Sequence, residues 1–144
     1  MIRLVIDTNV AVSGLLWWGS ASHILWCADN QNCQILATGS MLDELKTVLY
    51  RSKFKSRLIE LAVDPEEPLT FYRNLVHYCP TPPESIIRCP DADDQQFINL
   101  AEAEQAHMLI SGDRHVLDMN KINTIPIVRV NEAAQIVTSL NLMP

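Results

Sequence analysis

A chain of 144 residues has the length of one ordinary domain, and with 48% apolar and 19% charged residues it can build a core and does not read as disorder. Four glycines are too few for a glycine-rich phosphate fingerprint, and no Walker-type or Rossmann-type motif occurs. A surplus of 17 acids over 11 bases (formal net charge −6) argues against a protein that coats RNA through a wide basic surface; it leaves room for a site where bound cations reverse the local field.

Residues 2–6 are a short, largely apolar run, the pattern of a parallel strand buried on both faces. Asp7-Thr8-Asn9 ends it, with Thr8 or Asn9 placed to cap a helix through Leu16. Gly19 and Ser20 interrupt, and residues 21–28 form a second helical stretch. Residues 34–38 read as a second strand. Ser40 then serves as N-cap, with Asp43 three residues on, for a helix over 41–50. Residues 53–62 and 66–78 follow as helices separated by Asp64-Pro65. The proline-rich stretch 79–83 cannot be helical and is a connection. A helix over 94–105, a strand over 107–111, a short helical piece at 116–119, a strand at 127–130 and a helix over 131–140 complete the chain. Met1, Met41, Met108, Met119 and Met143 form no stripe and read as core or terminus. Strands alternating with helices predict an α/β fold, a mainly parallel sheet covered on both faces.

The carboxylates fall at telling places in this frame. Asp7 and Asp113 each follow a strand directly, at the end where open parallel sheets bind ligands. Glu44 lies one turn into a helix, on the side of Leu45 and Val48, and Asp94 begins a helix inside the cluster Asp91-Ala-Asp-Asp94. Singly, such residues end strands or cap helices. Together they suit a metal site. Oxygen ligands select Mg²⁺ or Mn²⁺, and converging carboxylates repel one another unless cations are bound. Phosphodiester hydrolysis uses such ions to activate water and to stabilise the leaving oxygen.

The segments Val5-Ile-Asp-Thr-Asn9, Ser40-x-x-x-Glu44 with Val48-Leu49 and Arg51-x-Lys53-Phe54, Asp91-x-Asp-Asp94-x-x-Phe97, and Leu109-Ile-Ser-Gly-Asp113 occur in that order over nearly the whole chain. In these the sequence resembles the PIN domain family, and most closely its VapC-like branch of toxin–antitoxin ribonucleases. The resemblance implies a three-layer α/β/α sandwich, with residues 1–144 as one PIN-like nuclease domain. It also implies cleavage of single-stranded RNA with Mg²⁺ or Mn²⁺, an antitoxin protein as partner, and a homodimer. It places metal ligands and catalytic groups at Asp7, Glu44, Asp94 and Asp113, and the Thr8 hydroxyl near the metal. Asp94 is preferred to Asp91 and Asp93 because it stands three residues before Phe97, the apolar anchor of this helix in the family. Relatives often carry an acid where this chain has His115; the histidine is either a surface residue or a group that contacts phosphate.

Arg51, Lys53, Lys55 and Arg57 are the concentrated basic segment, either a solvated face or a phosphate-contacting rim beside Glu44 with Arg51 nearest the site. Trp17 and Trp18 suit a dimer or antitoxin interface before core packing or base stacking. Cys27, Cys33, Cys79 and Cys89 lack a Cys-x-x-Cys pair, and the N-terminus runs straight into a strand with no signal-peptide pattern. No apolar run reaches the ~18 residues of a membrane span. Free thiols in the cytoplasm and no membrane partner are expected. Two other functions compete with the ribonuclease. One is a non-catalytic module of the same fold that binds a protein or RNA. The other is a haloacid-dehalogenase-type phosphatase, which needs a second Asp where Asn9 stands.

Overall fold

The computed structural model describes residues 1–141; Met143 lies outside them. Among the described residues six strands form one sheet: β1 (Ile2–Ile6), β2 (Cys33–Ala37), β3 (His77–Tyr78), β4 (Met108–Ile110), β5 (Lys121–Ile122) and β6 (Ile125–Val128). Their spatial order is β3-β2-β1-β4-β6-β5, parallel throughout except for β5 against β6. Among the described residues the helices are α1 (Thr8–Leu16), α2 (Ser20–Asp29), α3 (Gly39–Leu49), α4 (Lys55–Glu60), α5 (Glu66–Leu75), α6 (Gln95–Ala103), α7 (Arg114–Leu117) and α8 (Val130–Asn141).

The apolar strands are explained by two cores, one on each face of the sheet. Leu4, Ile6, Ile35, Met108 and Ile110 face α1, α2, α3, α5 and α8, while Val5, Leu36, Leu109 and Ile127 face α6. Successive strand residues point to opposite sides, so a strand between two helical layers is apolar at most positions; Arg3 and Gln34, paired across β1 and β2, are the polar exceptions there. The outcome is the expected three-layer α/β/α sandwich. In the first layer α1 and α2 pack closely at Gly14, where a Cβ would stand 2.8 Å from Leu25 Cδ1 and 3.0 Å from the Ala21 carbonyl oxygen.

Several local expectations are corrected. Asp7 caps α1, accepting from the Val10 N–H, so Thr8 and Asn9 lie inside the helix. Thr38, not Ser40, caps α3 through the Met41 N–H at 3.2 Å. The helix expected to reach Tyr78 stops at Leu75, and His77 and Tyr78 turn to pair with Leu36 and Ala37. The last strand starts at Ile125, joined to β5 through Asn123, whose φ of 55° lies in the left-handed region asparagine tolerates.

Candidate metal centre

The sheet grows outward from β1 in both directions, toward β2 on one side and β4 on the other. Such a switch opens a crevice at the carboxyl ends of the two strands. Register then decides what meets there. Ile6 pairs with Ile110, and the Asp7 N–H donates to the Ile110 carbonyl at 3.0 Å, so Asp7 falls beside Ser111. Ser111 Oγ donates to Asp7 Oδ2 at 2.5 Å, and the Val10 N–H donates to Oδ1 at 2.8 Å. Asp7 is only 4% exposed. Burial pushes its carboxyl above the ordinary range, against the opposing bonds from Ser111, Val10 and Gly112, and the nearby Asp113 charge adds to the rise.

With Asp7 as the cap, Thr8 is free to act elsewhere. Its Oγ1 donates to Glu44 Oε2 at 2.6 Å, and Gln96 Nε2 donates to the same oxygen at 2.9 Å. Both donors converge on Oε2 and leave Oε1 free of them. Ser40, displaced from its expected cap, donates to Gln96 Oε1 at 3.2 Å and so orients that amide.

The remaining acids arrive on the segment before α6, which two buried side-chain amides hold in place. Gln95 accepts from the Cys89 N–H at 2.7 Å and donates to the Ile87 carbonyl at 2.8 Å. Asn99 accepts from the Ser85 N–H at 3.0 Å and from Gln95 Nε2 at 2.9 Å. Asp91 then caps the 3-10 turn Ala92–Asp94 by accepting from the Asp93 N–H at 2.9 Å. A turn with about three residues per revolution puts positions i and i+3 on one side, and Asp91 and Asp94 share that side. Carboxylate oxygens of Asp91, Asp94 and Asp113 lie within 4.8 Å of one another.

Asp94 feels this crowding most. Burial first, then the charges of Asp113, Asp91 and Asp7 and a hydrogen bond with Asp113, push its carboxyl up to about 7. Among the described residues, its Oδ2 is the one buried side-chain oxygen or nitrogen with no hydrogen-bond partner. An orphaned carboxylate oxygen among other carboxylates fits a hard divalent cation, and the all-oxygen donor set fits Mg²⁺ or Mn²⁺.

Asp7, Glu44, Asp94 and Asp113 thus line one cleft of about 180 Å³, together with Thr8, Arg51, Asp91 and Asp93. The tightest group is Asp91, Asp94 and Asp113; Asp7 and Glu44 share the cleft without joining it. Asp91, which the resemblance sets behind Asp94, both caps the turn and joins the acids. Its signal was the i, i+3 spacing to Asp94. Ser111 and Gln96 were not anticipated; Ser111 was visible as a lone hydroxyl ending an apolar strand. Arg51 is the one base on a wall of six carboxylates. His115 is exposed and does not line the cleft, and its backbone N–H donates to Asp113 Oδ1 at 2.8 Å.

A family model described as PIN domain matches residues 3–115. The chain belongs to the PIN domain family. PIN domains are typically nucleases and usually bind divalent metals. Among solved structures, this PIN chain is similar to a chain in the crystal structure of VapBC2 from Rickettsia felis bound to a DNA fragment from their promoter. The TM-score is 0.61 at 16% identity, covering 89% of this chain and 98% of that one. At that identity the likeness establishes the PIN fold. No curated protein matches the sequence. Among the described residues, no helix is long and apolar enough to cross a membrane.

Proposed function

We propose that this PIN chain is a metal-dependent endoribonuclease that hydrolyses RNA phosphodiester bonds with Mg²⁺ or Mn²⁺, and that residues 1–144 act as one nuclease domain. The observation that carries the reading is the convergence of Asp91, Asp94 and Asp113, with one Asp94 oxygen, Oδ2, left without a hydrogen-bond partner. Asp94, Asp113 and Asp7 would hold the cation, with Asp91 completing the group and Glu44 lining the same cleft. When bound, such ions neutralise phosphate charge and activate water for in-line attack.

The protein's own groups do the positioning. Thr8 and Gln96 fix one Glu44 oxygen, so the other can orient water or accept a proton. Ser111 holds Asp7 in one rotamer through a short charge-assisted bond. Arg51, with no carboxylate among its ion-pair partners, can neutralise a phosphate oxygen at the mouth of a cleft that otherwise repels anions. His115 is exposed and does not line that cleft, so a phosphate contact from it would come from beyond the cleft wall.

We further infer that the chain is the toxin of a toxin–antitoxin pair, working in the cytoplasm as a homodimer and held inactive by an antitoxin protein. The likeness to a VapBC2 chain supports this by fold, and the four free cysteines are consistent with a reducing compartment. Purified protein should cut single-stranded RNA with Mn²⁺ and stop with EDTA. Asp7→Asn should lower kcat/KM by roughly 10²-fold or more, the scale of losing one positioned catalytic group. Asp7→Asn protein cutting as fast as the parent would sink the mechanism. Absence of Mn²⁺ binding by calorimetry would favour a non-catalytic binding module instead.

A further inference from the structure

Beside the acid cleft lies a second cavity of about 510 Å³, and Arg51 lines both. Its volume is within the roughly 300–1,000 Å³ of small-molecule sites. The end of α3, the 3-10 turn Ser52–Phe54, α4 and the turn into α5 build it. One part of the wall is apolar, with Leu58 and Ile59, and Tyr50 stands at it 52% exposed. The polar part carries Arg51 and Lys55.

These two cations differ from their neighbours. Lys46 pairs with Glu66 at 3.8 Å and Arg57 with Glu60 at 2.8 Å. Arg57 also donates to the Leu16 carbonyl at 2.7 Å. Arg51 and Lys55 form no ion pair among the described residues. Asp64, the acid on the cavity wall, is already engaged, accepting from the Glu66 N–H at 2.9 Å where α5 begins. An aromatic ring, an apolar wall and two unpaired cations, one of them the arginine shared with the acid cleft, match the parts of a nucleotide. Bases stack on aromatic rings and phosphates sit against Arg and Lys.

We propose that this cavity receives the nucleotide flanking the scissile phosphate of a single-stranded RNA. Its base lies against Tyr50 and the apolar wall, and its phosphate lies between Arg51 and Lys55. The proposal rests on the ribonuclease reading and adds the path of the strand and the place where a base is felt. The cut would then depend on the presence of one neighbouring base, whatever its identity, because every base has a face that stacks.

The test uses the full chain with Mn²⁺ and a fluorescein-labelled single-stranded RNA of mixed sequence whose cut position has been mapped. Copies carrying one abasic position are compared in turn. The expected result is that removing one base next to the cut raises KM about tenfold with little change in kcat, as loss of a stacked base does. Tyr50→Ala should raise KM on intact RNA by a similar factor and add nothing on that abasic copy, and Tyr50→Phe should restore the parent value. Lys55→Gln should flatten the dependence of binding on log salt by about 0.7, one phosphate contact's worth on a single strand. RNA that is cut with a KM indifferent to abasic position and to Tyr50→Ala would overturn the subsite and leave the ribonuclease standing. Unchanged RNA kinetics together with weakened capture of a partner protein would also overturn it and give the cavity to that protein. Wild-type protein that cuts no RNA would overturn both.

Discussion

Asp94 concentrates the electrostatics of the site in one side chain. Its carboxyl is raised from 3.8 to about 7 by burial and by three neighbouring acids, so the folded protein holds a proton that the unfolded chain releases. The sign follows directly. In metal-free protein the stability linked to Asp94 is fully present below the unfolded value near 4. It is lost as pH rises, and the loss is complete above about 7. Asp7 shifts in the same direction and reinforces the trend. In EDTA the melting temperature should therefore fall from pH 5 to pH 8, and Asp94→Asn should flatten that fall. At pH 8 the Asn variant should melt roughly 2–6 °C above the parent. A melting series in which the two proteins fall together across this range would remove Asp94 as the cause. The sequence singles out Asp94 through the family resemblance, by its spacing to Phe97. The part taken by Asp91 was not legible, since Asp91, Asp93 and Asp94 share one chemistry. Only the path of the turn separates a residue within 4.8 Å of Asp113 from one that merely lines the wall.

The same turn is set at the next scale by the clasp between α6 and the proline-rich segment before it. Gln95 and Asn99 are 5% and 6% exposed, and between them they bind the backbone of Ser85, Ile87 and Cys89. A segment with prolines at 80, 82, 83 and 90 lacks four backbone N–H donors and cannot form a helix or central strand. Side-chain amides therefore supply its fixed points. Asn99→Ala leaves the Ser85 N–H unpaired and should lower unfolding free energy by roughly 1–3 kcal/mol in a urea titration. It should also weaken Mn²⁺ binding, because Asp91 and Asp94 would lose their common anchor. Unaltered Mn²⁺ affinity in a destabilised Asn99→Ala protein would confine the clasp to stability. Long elements were readable because periodicity accumulates over many residues; α3 and α6 were placed within a few residues of where they lie. Two-residue strands offer no such signal. His77 and Tyr78 continue the apparent helix in sequence, and only the open edge of β2 draws them into pairing. Ser40 and Thr38 are both good caps, and the choice between them depends on where β2 ends.

For the molecule as a whole, two cores back to back leave the sheet rigid, and the repulsion among the acids is confined to its carboxyl edge. Cation binding should therefore stabilise the entire fold and not merely the loop. At a free Mn²⁺ concentration a hundredfold above Kd the linkage is about 2.7 kcal/mol, which scanning calorimetry reads as a concentration-dependent rise in melting temperature. A melting temperature that ignores Mn²⁺ at every concentration would show that the acids do not bind it. The rise should be larger at pH 8 than at pH 5, because at low pH the cation must displace protons from Asp94 and Asp7.

The sheet's two outer strands, β3 and β5, are each two residues long, and β5 runs against the direction of its one neighbour, β6. A foreign strand arriving at either margin finds at most a couple of backbone groups to pair with, and His77, Tyr78 and Lys121 there stand exposed to solvent. Such short, polar margins resist the edge-to-edge addition that drives amyloid-like growth. The protein can therefore bury four largely apolar strands in its middle and still tolerate being crowded by copies of itself.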